Sequence, residues 1–209
     1  MNYILANLDM NCLIVGYRGY GHSEGTPSEE GLKLDGEAVL RYAFDQSNDI
    51  VKLHINPNQI FVLGRSLGGA VAIHVAANLK LPVKGYIIEN TFSSMGDLVD
   101  ILYPIIKPLR KLLLKSKWDS KSIVGNIKYP VLFCKSEKDE LIPTQQMETL
   151  FNEAKSAKFK DYYVIKNGTH NEGYLHDSEG YKKALKGFIE NCLKGTFENK
   201  LNDFDKKNQ

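Results

Sequence analysis

The sequence predicts an α/β protein with a mostly parallel sheet and helices on both faces. Short β-rich apolar runs alternate with segments whose apolar residues recur at helical spacing, the order expected of βαβ units. The first strand-like run, Cys12 to Tyr17, is continuously apolar rather than alternating, as in a sheet covered on both faces. The chain's 209 residues, 43% hydrophobic and 25% charged, are ordinary for a globular domain with a real core.

Cys12 to Tyr17 reads as the first strand, and Arg18 to Pro27 as a Gly-rich loop. Ser28, with Glu29 and Glu30 behind it, opens a helix to about Gln46; Leu32, Leu34, Ala38, Val39, Tyr42 and Ala43 form its expected inner face. Asn56-Pro57-Asn58 is a turn before strand Ile60 to Leu63, and the helix over 67–80 stops before Pro82. Val83 to Glu89 is the next strand. Over 91–120 the rhythm breaks into one or two short inserted helices, interrupted by Pro104 and Pro108. Tyr129 to Cys134 and Tyr162 to Ile165 are the last strands, with helices over Pro143 to Ser156 and Ser178 to Leu193. One domain over 1–194 is expected, carrying a polar, disordered tail over 195–209.

Composition narrows the function classes. Lys plus Arg (27) nearly balances Asp plus Glu (25), so no nucleic-acid face is implied. No apolar run approaches a membrane span, and the first ten residues lack the basic start of a signal peptide, so a cytoplasmic location is expected for the chain as given. Cys12, Cys134 and Cys192 are expected to be small buried hydrophobes in a reducing compartment. The histidines and cysteines show no metal-ligand spacing. Neither a nucleotide-binding P-loop nor G-x-G-x-x-G is present, so no cofactor is expected.

Two stretches read G-x-S-x-G. Gly21-His22-Ser23-Glu24-Gly25 lies in a loop, whereas Gly64-Arg65-Ser66-Leu67-Gly68 follows a strand and runs directly into an Ala-rich helix. Only Ser66 has the flanks of a nucleophile elbow, and both of its glycines are expected to be sterically required. A serine at neutral pH needs a base, and the base needs an orienting acid; with this elbow they follow in the order serine, acid, histidine. Of five histidines, His170 sits in a polar loop directly after the last strand, with His176 its rival as base. After the strand ending at Cys134, Glu137, Asp139 and Glu140 compete as the acid; Asp139 is preferred and Glu137 comes second. The Leu67 backbone N–H, at a helix N-terminus, is expected to be one oxyanion donor. A second donor, expected from a loop after an earlier strand, is not found.

These features resemble the Bem-like, alpha/beta hydrolase domain-containing protein thirteen branch of the α/β-hydrolase-fold serine hydrolases. The matching stretches are Tyr17 to Gly21, Ser23 to Gly25, Pro27 to Gly31, Gly64 to Ala72, Glu89 to Phe92, Asp139 to Pro143 and Gly168 to Asn171. By matching position, the resemblance implies Ser66, Asp139 and His170 as nucleophile, acid and base. It implies hydrolysis of a small acyl ester or acyl thioester through an acyl-serine. It also implies an N-terminal membrane anchor, three strands and a His-Gly-Asn oxyanion loop ahead of Cys12. None of these precedes Cys12 here, so Met1 is expected to be an internal methionine of a longer, membrane-associated protein. The competing expectation is a catalytically impaired fragment or non-enzymatic α/β-hydrolase-fold protein with half an oxyanion hole. Lys107, Arg110, Lys111, Lys115 and Lys117 would suit peripheral membrane contact, with a solvated helix face as the plainer reading.

Overall fold

A computed structural model describes residues 8–109, 114 and 116–197. Four strands, β1 (Phe61–Arg65), β2 (Gly85–Glu89), β3 (Pro130–Ser136) and β4 (Phe159–Ile165), form a parallel sheet in the order β1-β2-β3-β4. Each strand returns through a helical crossover, which brings all four C-terminal ends to one edge. Ahead of the sheet lie α1 (Glu29–Ala43) and α2 (Asp49–His54); between strands come α3 (Leu67–Asn78), α4 (Met95–Leu102), a 3-10 segment (Pro104–Leu109), α5 (Ser120–Val124) and α6 (Thr144–Glu153). After β4 come α7 (Gly173–His176) and α8 (Ser178–Lys194).

Strand alternation explains the two-faced core. Tyr86, Ile88, Val131 and Phe133 point into one cluster with Val71, Ile73 and Met147 from the helices. Ile87, Leu132 and Cys134 point to the other face, where α8 supplies Tyr181, Leu185, Phe188 and Cys192. Gly36 lets α1 reach α3: a Cβ there would stand 2.4 Å from Val71 Cγ1. Ser28 caps α1 by accepting the N–H of Gly31. The buried residues of α1 are Gly31, Leu32, Leu40 and Ala43; Leu34, Ala38, Val39 and Tyr42, expected inside, are not buried. The neighbour that decides this is α3 rather than the sheet, so a narrower stripe suffices.

The largest correction concerns Cys12 to Tyr17, which is not a strand. Leu13 and Ile14 are 51% and 60% exposed, and Cys12 is exposed although Cys134 and Cys192 are buried as expected. A strand exists only through its ladder, and among the described residues none pairs with this segment or with the outer edge of β1. Smaller corrections follow from packing. A short helix, α2, stands where none was foreseen, capped by Asn48. The tail's first residues are ordered enough for Phe197 to stack on Phe159 at 5.0 Å; the expected disorder beyond it lies outside the described residues. No helix among the described residues is long and apolar enough to cross a membrane.

The open edge makes a residue-level prediction. Ser66 N–H donates to the Glu89 carbonyl, so alternation turns the N–H groups of Leu63 and Arg65 away from β2. Native-state hydrogen exchange is expected to find those two amides far less protected than Gly64 between them. Equal protection of all three would show that the edge is covered.

Candidate active site

The elbow forms where β1 turns directly into α3. Ser66 itself carries the strained backbone, with φ 54° and ψ −123°. Neither flanking glycine has positive φ. Gly64 is required for space, because a Cβ there would lie 2.3 Å from the Gly68 carbonyl oxygen and 2.8 Å from Ala72 Cβ. Gly68, expected to be required as well, is not: its nearest contact would be Tyr17 Oη at 3.8 Å. The second obligatory glycine is Gly69, whose Cβ would strike Thr91 at 2.6 Å. The other G-x-S-x-G is a loop in which Ser23 donates to the Gly16 carbonyl, 2.8 Å away. That loop is tied to α1 by a two-pronged Arg18–Asp35 pair at 2.7–3.1 Å.

Asp139, after β3, and His170, after β4, meet at the C-terminal edge of the sheet. His170 Nδ1 lies 2.8 Å and 3.0 Å from the two carboxylate oxygens of Asp139, and both side chains are almost completely buried. An ionised carboxylate can only accept, so Nδ1 carries the ring proton and Nε2 keeps its lone pair. Asp139 is itself fixed by the N–H groups of Leu141 and Ile142, at 2.9 Å and 2.7 Å.

The rival acids have other partners. Glu140 accepts the His170 backbone N–H at 3.0 Å, and Glu137 accepts that of Asn167 at 2.9 Å. His176, the rival base, is exposed at the end of α7. His74 is engaged elsewhere, with Nε2 3.0 Å from Glu37.

Ser66 stands on the same edge, joined to the His170 loop through intermediaries. Its carbonyl accepts from Thr91 Oγ1 at 2.6 Å, and Arg65 Nη1 donates to the Asn171 carbonyl at 3.1 Å. Ser66 Oγ and His170 Nε2 are not hydrogen-bonded to each other; the structure pairs Asp139 with His170 and sets Ser66 on the same edge of the sheet. Leu67 heads α3 directly after Ser66, so its N–H has no partner within the helix. Among the described residues no strand precedes Phe61, so the strand-end loop expected to supply a second donor is absent from them.

A buried layer that residue spacing does not reveal lies beneath these groups. Asn90, in left-handed conformation (φ 44°), donates its amide to the His170 carbonyl at 3.1 Å and to Ser136 Oγ at 2.9 Å, and accepts the Ser136 N–H at 2.7 Å. Asn tolerates that backbone better than most residues and brings both donors and an acceptor. Next to it the Glu89 carboxylate is buried and accepts the Tyr181 hydroxyl. Burial, the largest influence, pushes its pKa up; Tyr181, Arg65 and His170 pull the other way, and Asp139 adds to the rise. The visible signal was a Glu-Asn-Thr run ending an otherwise apolar strand.

A sequence profile described as the alpha/beta hydrolase fold matches residues 1–107. The chain belongs to that family, and within it is a Bem-like α/β hydrolase. It is 37% identical over 183 residues to Protein bem46 of Schizosaccharomyces pombe, covering 87% of this chain and 58% of that protein. It is 32% identical over 199 residues to the alpha/beta hydrolase domain-containing protein WAV2 of Arabidopsis thaliana, covering 90% of this chain and 63% of that one. The chain therefore spans about three fifths of the length of these relatives. In three dimensions it resembles the esterase Pf2001 of Pyrococcus furiosus, with a TM-score of 0.70 at 19% identity, covering 91% of this chain and 73% of that one.

Two outcomes test this layer. Gly64→Ala forces backbone apart at the elbow and is expected to cost at least the ~1–3 kcal/mol typical of overpacking, measured by denaturant unfolding; a neutral result would remove the steric argument. Glu89→Gln tests the buried carboxyl. Its raised folded pKa means that its contribution is fully present below the unfolded value and is lost as pH rises through the folded one. The stability of the variant relative to the parent should therefore improve as pH rises above about 4, the ordinary carboxylate range, and through the raised folded value. A difference that stays constant with pH would contradict the assignment.

Proposed function

We propose that the chain is a serine hydrolase cleaving a carboxylic ester or thioester through an acyl-Ser66 intermediate. The observation that carries this reading is the buried Asp139–His170 pair on the sheet edge that also presents a strained Ser66. In the first half-reaction Ser66 Oγ attacks the acyl carbonyl while His170 Nε2 takes its proton. Asp139 holds the ring tautomer and stabilises the imidazolium. The tetrahedral oxyanion is stabilised by the Leu67 N–H and the positive end of α3. Collapse expels the alkoxide or thiolate, which takes the proton from His170. In the second half, water gives a proton to His170 as its oxygen attacks the acyl-serine; collapse breaks the bond to Ser66 Oγ, which takes that proton back from His170 as the carboxylic acid leaves. The likeness to Pf2001 of Pyrococcus furiosus, itself an esterase, supports the ester class.

A second reading has its own observation. Because Ser66 Oγ and His170 Nε2 are not hydrogen-bonded to each other and one oxyanion donor is named rather than two, the chain could hold the triad without turning over. Losing one donor typically costs ~100- to 1,000-fold in kcat.

One experiment separates the two. The folded 209-residue chain is expected to be labelled by a fluorophosphonate probe, with labelling abolished in Ser66→Ala and slowed by ~10³–10⁴-fold in Asp139→Asn. Absence of labelling in chain shown to be folded would defeat the hydrolase reading and leave the second.

A further inference from the structure

We propose that the tip of the insertion after β2, formed by the end of α4 and the 3-10 segment, is a docking surface for an anionic lipid bilayer. Four large apolar side chains fall within five consecutive residues there and point to solvent: Ile101, Leu102, Tyr103 and Ile105, the last 91% exposed. α4 has no fully buried residue; the start of its apolar stripe, Met95 and Leu98, packs partly on the core. The continuation of that stripe at Ile101 and Leu102, three and four residues past Leu98, runs out beyond the core and is left exposed.

The insertion is held so that this tip projects. Both of its stems are tied to the body: Met95 N–H donates to the Lys117 carbonyl and Lys121 N–H to the Ser93 carbonyl. The Glu29 carboxylate accepts the N–H groups of Lys117 and Trp118 at 2.7 Å and 3.1 Å, and Trp118 is buried. Pro104 ends α4 after Tyr103 and turns the chain at the tip.

Charge selects the occupant. The sequence contains no Asp or Glu between Asp100 and Asp119, in a chain whose acids and bases nearly balance. Among the described residues of that stretch, Lys107 and Lys117 are both exposed; Lys107 lies 3.6 Å from Asp100 with most of its side chain in solvent. Arg110, Lys111 and Lys115 lie outside the described residues, and the surface is drawn without them. Exposed Ile and Leu, a Tyr beside them and Lys107 in the same segment, with no Asp or Glu in the sequence from 101 to 118, match the layering of an anionic membrane interface. The segment is too short to cross a bilayer, so it lies on the surface.

The test is flotation of the full 209-residue chain with lipid vesicles, run on the Ser66→Ala form so that catalysis plays no part in the result. Vesicles of phosphatidylcholine mixed with phosphatidylserine are expected to carry the protein, and pure phosphatidylcholine vesicles to carry much less. Ile105→Glu should lower partitioning by roughly tenfold and Lys107→Glu by roughly fivefold, the latter vanishing at high salt. Both sites are exposed, and unchanged thermal midpoints would confirm folding. Lys183→Glu, the same charge change on α8, should leave partitioning unaltered. The proposal is overturned by equal binding to both vesicle types, by no binding to either, or by a Lys183→Glu loss as large as that of Lys107→Glu. Self-association without lipid that Ile105→Glu abolishes would assign the surface to a second copy of the chain and overturn it too.

Discussion

A Cβ at Gly64 would stand 2.3 Å from the Gly68 carbonyl oxygen, so β1 can pass into α3 only because that methyl group is missing. The close turn sets Ser66 at φ 54°, lifts it off the strand end and points the first N–H groups of α3 at the same spot. It also brings α3 down on the sheet, where Ala70, Val71 and Ala72 are buried with Tyr86 and Ile88. The position of the serine and the packing of the central helix are thus consequences of one steric fact. The strain at Ser66 is sustained by its neighbours: its N–H is held by the Glu89 carbonyl and its own carbonyl by Thr91.

Those neighbours form the layer that joins the three candidate residues. Parallel strands deliver Ser66, Asp139 and His170 to one edge, but on strands that are not all adjacent, since β2 lies between β1 and β3. The residues at the end of β2 bridge that gap. Glu89 anchors Ser66 through its carbonyl and Tyr181 of α8 through its carboxylate; Asn90 holds the carbonyl of His170 and the hydroxyl and backbone N–H of Ser136; Thr91 holds Ser66. Buried polar groups of this kind are favourable only when satisfied together, so the network orders the edge as a unit.

Much of this was legible in the sequence. Apolar runs fixed β2, β3 and β4 to within a few residues, because strands covered on both faces leave an unbroken hydrophobic signature. The elbow is distinguished from Gly21 to Gly25 by what flanks it, and His170 is singled out among the histidines by its loop after the last strand, whereas Asp139 is a preference over Glu137 and Glu140 that the family resemblance also implies. What was hidden depends on partners that residue spacing does not announce. Cys12 to Tyr17 reads as a strand by composition, yet pairing makes a strand and no described residue pairs with it. The inner face of α1 shifted because α3 covers it, with Gly36 marking the contact. The work of Glu140 and Asn90 rests on backbone contacts to His170, which leave no mark on residue spacing.

The central claim is that Ser66, His170 and Leu67 act on one acyl group although Ser66 Oγ and His170 Nε2 are not hydrogen-bonded in the free chain. Catalytic hydrogen bonds are often long before a substrate or analogue is bound. The most direct measurement is a crystal structure of the chain after reaction with a fluorophosphonate. The account predicts phosphorus bonded to Ser66 Oγ, His170 Nε2 within about 3 Å of that oxygen, and a phosphoryl oxygen on the Leu67 N–H. Phosphorus on any other residue, or a His170 ring turned away from the adduct with Asp139 still paired to it, would contradict it.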